Sequence, residues 1–152
     1  MPQTVTITGT RSTGHRALTE YQEMFEEYVR PFASPGVRFH LGGASGIDSL
    51  CLLWLAAETE TEIVVAVPAM LADQPADARH AIATVSEAGR LVELAELAGE
   101  TRTSGYHARN RWMVDRSELT IGFPRRGVQG GGTWYTLDYT AKQDKPRMVM
   151  PI

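Results

Sequence analysis

Cysteine is almost missing from this chain. Cys51 is the only one among 152 residues, so no internal disulfide can form. Its place among Leu50, Leu52 and Leu53 reads as a buried small hydrophobe, and a reducing, cytoplasmic setting fits. No window approaches the ~18 apolar residues that a membrane span requires, and no basic stretch followed by an apolar run precedes Thr4. Neither export nor membrane insertion is expected. His15, His40, His80 and His107 are scattered, without the spacing of a metal site, so no metal is expected. Positive charge is in slight deficit: 15 lysines and arginines against 18 acids leave a net charge of -3. That balance argues against holding nucleic acid by bulk electrostatics and leaves open a local basic patch or a small anionic ligand. Internal repeats, linkers and low-complexity tracts are also missing, and the length suits one domain, residues 1–152.

What is present is an alternation of strand and helix patterns. "TVTITG" (4–9), "VRFHLGG" (37–43), "EIVVAVP" (62–68), "ELTIGFP" (118–124) and "PRMVMPI" (146–152) read as strands, and the first half of "RLVELAEL" (90–97) as another. Helices are expected over "ALTEYQEMFEEYVRPF", with Leu18, Tyr21, Met24 or Phe25, and Tyr28 on one buried stripe before Pro31 stops it, and over "IDSLCLLWLAAE". "DQPADARHAIATVSEAG", "YHARNRWMVDRS" and "TWYTLDYTAKQ" complete the set. The continuous apolarity of "EIVVAVP" suits a strand covered on both faces. The alternation predicts an α/β fold, a Rossmann-like three-layer α/β/α sandwich with a mainly parallel sheet and right-handed crossovers. In such sheets ligands lie beyond the carboxyl ends of the strands, where the strand order reverses.

Three loops then fall on that edge: "TGTRSTGHR" after the first strand, "GGASGID" after the second and "FPRRGVQGGGTW" after the fifth. The last two feed helices, whose free N–H groups and positive dipole end favour an anion, so the common guest suggested is a phosphate or pyrophosphate. Each loop has a plainer reading. Gly9 to Gly14 is not a dinucleotide fingerprint, because Arg11 stands where the middle glycine of GxGxxG belongs, and no Walker motif occurs. "GGASGID" could be a tight strand-to-helix turn with Asp48 capping the helix. Gly130, Gly131 and Gly132 in succession are harder to explain by packing, since they add no side chain and cost conformational entropy. Arg109, Arg111 and Arg116 lie on a helix where Arg109 shares a face with Met113, Arg116 shares one with Trp112, and Arg111 points elsewhere.

Together "TGTRS", "GGASGID", "RNRWMVDRSEL" and "GGGTW…A…DKPRMVMP" resemble the SLOG superfamily of Rossmann-like domains. That superfamily includes the DprA (Smf) DNA-processing family and the LOG phosphoribohydrolases, also called lysine decarboxylase-like. The likeness covers nearly the whole chain, and the GID ending of the second loop with the later RNR looks most like the DprA side. The resemblance implies a nucleotide- or nucleic-acid-binding pocket built from Gly9, Thr10, Arg11 and Ser12; Gly42, Gly43, Ala44, Ser45, Gly46 and Asp48; Arg109 and Asn110; and Pro124, Gly130, Gly131, Gly132, Thr133 and Trp134. It implies a bound nucleotide or phosphate and a homodimer. A LOG-like hydrolysis of nucleoside monophosphates is one alternative: Arg109, Met113, Gly131, Gly132 and Thr133 match parts of the LOG motifs, but the glutamate expected after them is replaced, since Trp134, Tyr135, Thr136 and Leu137 follow. Asp48, Glu118 and Asp138 are the substitutes to consider. The other alternative is DprA-like binding of single-stranded DNA, with Arg11, Arg16, Arg109, Arg111, Arg125 and Arg126 gathered on one edge.

Overall fold

The computed structural model describes all 152 residues. Six strands, β1 (Thr4–Gly9), β2 (Arg38–Gly42), β3 (Glu62–Val67), β4 (Leu91–Glu96), β5 (Leu119–Phe123) and β6 (Arg147–Val149), form one sheet in the order β4-β3-β2-β1-β5-β6. Every neighbouring pair is parallel. Five helices connect them: α1 (Leu18–Tyr28), α2 (Ile47–Glu58), α3 (Ala76–Glu87), α4 (Thr103–Asp115) and α5 (Gly132–Lys142). The chain steps outward from β1 to β4 through α1, α2 and α3, which pack side by side, and returns to β5 and β6 through α4 and α5 on the other face. Parallel strands that advance in opposite directions with right-handed crossovers must place their helices on opposite faces, so this division follows from handedness.

The sheet is covered on both sides and its inner strands are correspondingly apolar. Val5, Ile7, Phe39, Leu41, Ile63, Val65, Ile121 and Phe123 have no exposed surface. Tyr21, Phe25, Ile47, Leu52 and Leu55 of α1 and α2 close over them in the same cluster. Two glycines set how near the helices come. A Cβ on Gly9 would lie 2.7 Å from Cγ1 of Ile47 in α2, and one on Gly122 would lie 2.7 Å from both methyls of Leu137 in α5. Thr8 pairs with Gly122 and Gly9 with Phe123, and alternation along the strands sends the two absent side chains to opposite faces.

The expected elements are all present, with three differences. In "RLVELAEL" the strand runs past the first half, from Leu91 to Glu96: β4 is the sheet edge, pairs with β3 alone, and exposes Val92 and Glu93, which blurs the alternation that marks a buried strand. Leu18 is 57% exposed and not part of the buried stripe, because it opens α1 and overhangs a shallow groove with Leu50, Leu53 and Trp54. α4 starts three residues before Tyr106, at Thr103. No helix is long and apolar enough to cross a membrane.

Candidate nucleotide-binding cleft

The strand order reverses between β1 and β5. The loops leaving those two strands part there, and a cleft of about 320 Å³ opens above the carboxyl edge of the sheet. Its first wall is the Gly9–Ser12 turn, tied down where the Thr10 N–H donates to the Phe123 carbonyl at 3.0 Å and the Ser12 N–H to the Thr10 hydroxyl at 3.2 Å. The opposite wall is the loop after β5. Gly130 and Gly131 there have φ of +94° and +84°, a left-handed region that side chains disfavour, and a Cβ at either would meet nothing within 4 Å. These glycines are demanded by backbone shape, and they leave bare main chain facing open space. Gly131 caps α5 without a side chain, and the first helical bond runs from the Tyr135 N–H to the Gly131 carbonyl. The N–H groups of Gly132, Thr133 and Trp134 therefore have no acceptor within the protein, as expected of a helix start.

α4 supplies the floor. Tyr106, Arg109, Asn110 and Met113, at i, i+3, i+4 and i+7, share one helix face and all line the cleft. Arg109 is 4% exposed; its Nε donates to the Asn110 Oδ1 at 2.7 Å and one Nη to the Ala66 carbonyl at 3.3 Å. Arg11 reaches across from the first loop and lies 4.7 Å from the Tyr106 ring centre, while Arg109 lies 5.4 Å from it, so the ring sits near two guanidinium groups. Asp48, from the first turn of α2, is the one acidic group in this cleft. Burial pushes its carboxyl up to about 7 against the opposing pull of Arg109 and Arg11. The surface ion pairs elsewhere leave Asp48 without a direct one. Burial also pulls Arg109 below the usual arginine range, opposed by Asp48.

The second glycine loop behaves differently from the third. Gly42, Gly43, Ser45 and Gly46 do not line the cleft, whereas Ala44 and Asp48 do. A Cβ on Gly42 would run into the Arg109 guanidinium and come within 2.8 Å of Oδ2 of Asp48. One on Gly43 would lie 2.7 Å from Val67, and one on Gly46, whose φ is +80°, would lie 2.5 Å from the Thr10 carbonyl. The Ile47 N–H donates to that same carbonyl at 3.1 Å, and the Ser45 hydroxyl donates to Asp77 at 2.7 Å. These glycines bring the protein close to itself: they make room for Arg109, for Val67 and for the first loop.

All the other expected residues line the cleft: Gly9, Thr10, Arg11, Ser12, Ala44, Asp48, Arg109, Asn110, Pro124, Gly130, Gly131, Gly132, Thr133 and Trp134. Past Gly130–Gly132 it widens into an open groove of about 1220 Å³ that shares Arg11, Tyr106 and Trp134 and adds Arg102, His107, Gln129, Tyr135 and Asp138. His107 and Tyr135 stack face to face there, 3.6 Å apart. Sequence reasoning missed Tyr106 and Arg102 as site residues; extending the Arg109–Met113 face back by one helical step would have found Tyr106. Arg125 lines the cleft, but Arg111 bonds to the Tyr135 hydroxyl and Arg16 pairs with Glu20, so the six arginines do not form one track. Glu118 accepts from the Gln3 N–H at the amino edge of the sheet, far from these loops. No carboxylate stands where the glutamate was expected after Thr133: the Thr136 hydroxyl donates back to the Gly132 carbonyl, Leu137 packs on Gly122, and Asp138, the next residue, accepts from Arg147 at 3.3 Å.

No protein-family model and no curated protein matches the chain. Solved structures do. DNA processing protein A (DprA) from Helicobacter pylori, described for its single-stranded DNA binding mode, superposes with a TM-score of 0.69 at 20% identity, over 98% of this chain and 65% of that one. DprA from Streptococcus pneumoniae gives 0.71 at 13% identity, over 98% and 50%. This chain has the Rossmann-like fold of DprA. It spans about two thirds and one half of those two DprA chains, and at this identity the likeness concerns the fold.

Proposed function

We propose that the cleft binds a nucleotide or nucleotide-derived phosphate ligand. The observation that carries this reading is the convergence, at the switch point, of the unpartnered N–H groups of Gly132, Thr133 and Trp134 with the Arg11 side chain, across a gap that Gly130 and Gly131 leave free of side chains. Phosphate oxygens fit those donors. The Tyr106 and Trp134 rings, both on the cleft wall, offer apolar faces for a base. A cytoplasmic location and a homodimer, through α2 or the "WYTLDY" segment, belong to the same reading. Calorimetry against AMP, ADP, NAD and ADP-ribose should give saturable heat with at least one. Arg11→Ala, at an exposed position whose side chain makes no hydrogen bond or ion pair within the protein, should weaken binding by about tenfold or more, the worth of a charge-assisted hydrogen bond. Silence with all four would contradict the reading.

One observation favours a second reading, single-stranded nucleic acid. The groove beyond Gly130–Gly132 is larger than one nucleotide needs and carries Arg102, His107 and Tyr135, and the fold is that of a protein described for binding single-stranded DNA. Fluorescence anisotropy with an oligothymidylate should then show affinity falling steeply with added salt. Indifference to the oligonucleotide at low salt would exclude it.

A further inference from the structure

Asp48 is out of place in a cleft for anions. A permanently ionised carboxylate on the floor would repel phosphate across a short, poorly solvated gap, where charges interact more strongly than in water. It is not offset by an ion pair, because Arg109 beside it spends its hydrogen bonds on Asn110 and Ala66. It is 6% exposed and wedged with the Arg109 guanidinium over Gly42, where even a Cβ would not fit. The groups that face it are Arg109 from α4, Arg11 from the loop after β1, and the buried Cys51 one turn along α2, with Arg125 on the cleft rim.

We propose that the cleft takes up its anionic ligand together with a proton, which Asp48 receives from solvent. This rests on the binding reading above and specifies its regulation: the ligand is held best by the cleft whose carboxyl is neutral, and by reciprocity the bound anion holds the proton on Asp48. The direction follows from the geometry. With the carboxyl protonated, Arg109 and Arg11 face the ligand unopposed; with it ionised, part of their field is cancelled. Near neutrality the free carboxyl lies at the balance point, since burial has raised it to about 7. Binding should therefore tighten as the pH falls from 8 to 6, and flatten below.

The probe is ADP-ribose, whose pyrophosphate charge is fixed across this range, so that the ligand's own titration does not intrude. Calorimetry at pH 8 in HEPES and in Tris should show observed heats that differ with buffer ionisation, reporting proton uptake. The dissociation constant should fall on the order of tenfold between pH 8 and pH 6. Asp48→Asn should bind at both pH values with the affinity of the wild type at pH 6, and release no buffer-dependent heat. His15 accepts a hydrogen bond from Arg125 at 2.7 Å and is the other titratable group beside this rim, held below the usual imidazole range by desolvation and then by Arg125, so His15→Gln serves as the control and should keep the pH dependence. In case Asp48→Asn fails to fold, carbon-13 NMR of the wild-type carboxyl should show Asp48 titrating near neutrality and moving upward with ADP-ribose. Equal affinity at pH 6 and 8 without proton uptake, or an Asp48 carboxyl titrating near 4, would overturn the proposal while leaving nucleotide binding intact. Absence of ADP-ribose binding at every pH would remove both.

Discussion

Replacing Asp48 by asparagine should reshape the pH dependence of folding stability, and the expected change can be worked out from two buried groups with opposite behaviour. The Asp48 carboxyl rises from 3.8 to about 7 because it is buried. Its contribution to stability is fully present below pH 4 and is lost as the pH rises toward 7, where the folded protein must accept a buried charge. About three pH units at about 1.4 kcal/mol per unit make this roughly 4 kcal/mol. His40, in β2 beside Trp112 and Ser117, falls from 6.5 to about 4, first through burial and then through Arg38 and Arg116. Its contribution is present above pH 6.5 and is lost as the pH falls toward 4, on the order of 3 kcal/mol. Between pH 4 and 6.5 the two slopes nearly cancel in the wild type. Asp48→Asn removes one of them, so the variant should lose about 3 kcal/mol relative to the wild type on going from pH 6.5 to 4. It should also be relatively more stable at pH 8 than at pH 4. Urea denaturation followed by circular dichroism at half-unit pH steps measures this, with an unchanged m-value expected in both proteins. Exposed carboxylates contribute alike to the two curves and drop out of the difference. Parallel curves for wild type and variant would refute the reasoning, because the Asp48 carboxyl would then titrate alike in the folded and unfolded states.

Other consequences concern close approaches of the backbone. Gly122→Ala puts a methyl group 2.7 Å from Leu137 across the β5–α5 contact, and thermal denaturation should show a loss of about 1–3 kcal/mol. Gly105→Ala drives a methyl group into the Glu100 carbonyl, a backbone atom that cannot rotate away, so amide exchange should quicken over residues 97–103. Gly42→Ala pushes on the Arg109 guanidinium and Asp48 together; nucleotide affinity, measured by calorimetry, should fall even where the variant stays folded. Gly131→Ala, at φ +84° with open space before it, should cost about 1–2 kcal/mol of stability through backbone strain alone.

The architecture was legible because strand and helix signals alternate cleanly, and because handedness leaves few ways to wind a parallel sheet. β4 was legible only in part. An edge strand with one partner and exposed Val92 carries no clean alternation. The three glycine loops were placed correctly on one edge, yet glycine alone does not say what comes close to it. At Gly130 and Gly131 it is open space, while at Gly42, Gly43 and Gly46 it is Arg109, Val67 and the Thr10 carbonyl. That distinction lives in tertiary contacts between residues far apart in the chain. Tyr106 escaped for a related reason: its role comes from two arginines, one 95 residues away, brought to the same ring.

The convergence of main-chain donors on one phosphate group is tested most directly by titrating nitrogen-15-labelled protein with ADP-ribose and following every amide. The largest shifts should fall at Gly130–Trp134 and in the Thr10–Ser12 turn, with Tyr106 moving as well and Gly43–Gly46 moving less. Saturable shifts confined to another surface, with the Gly130–Trp134 amides unmoved, would contradict it.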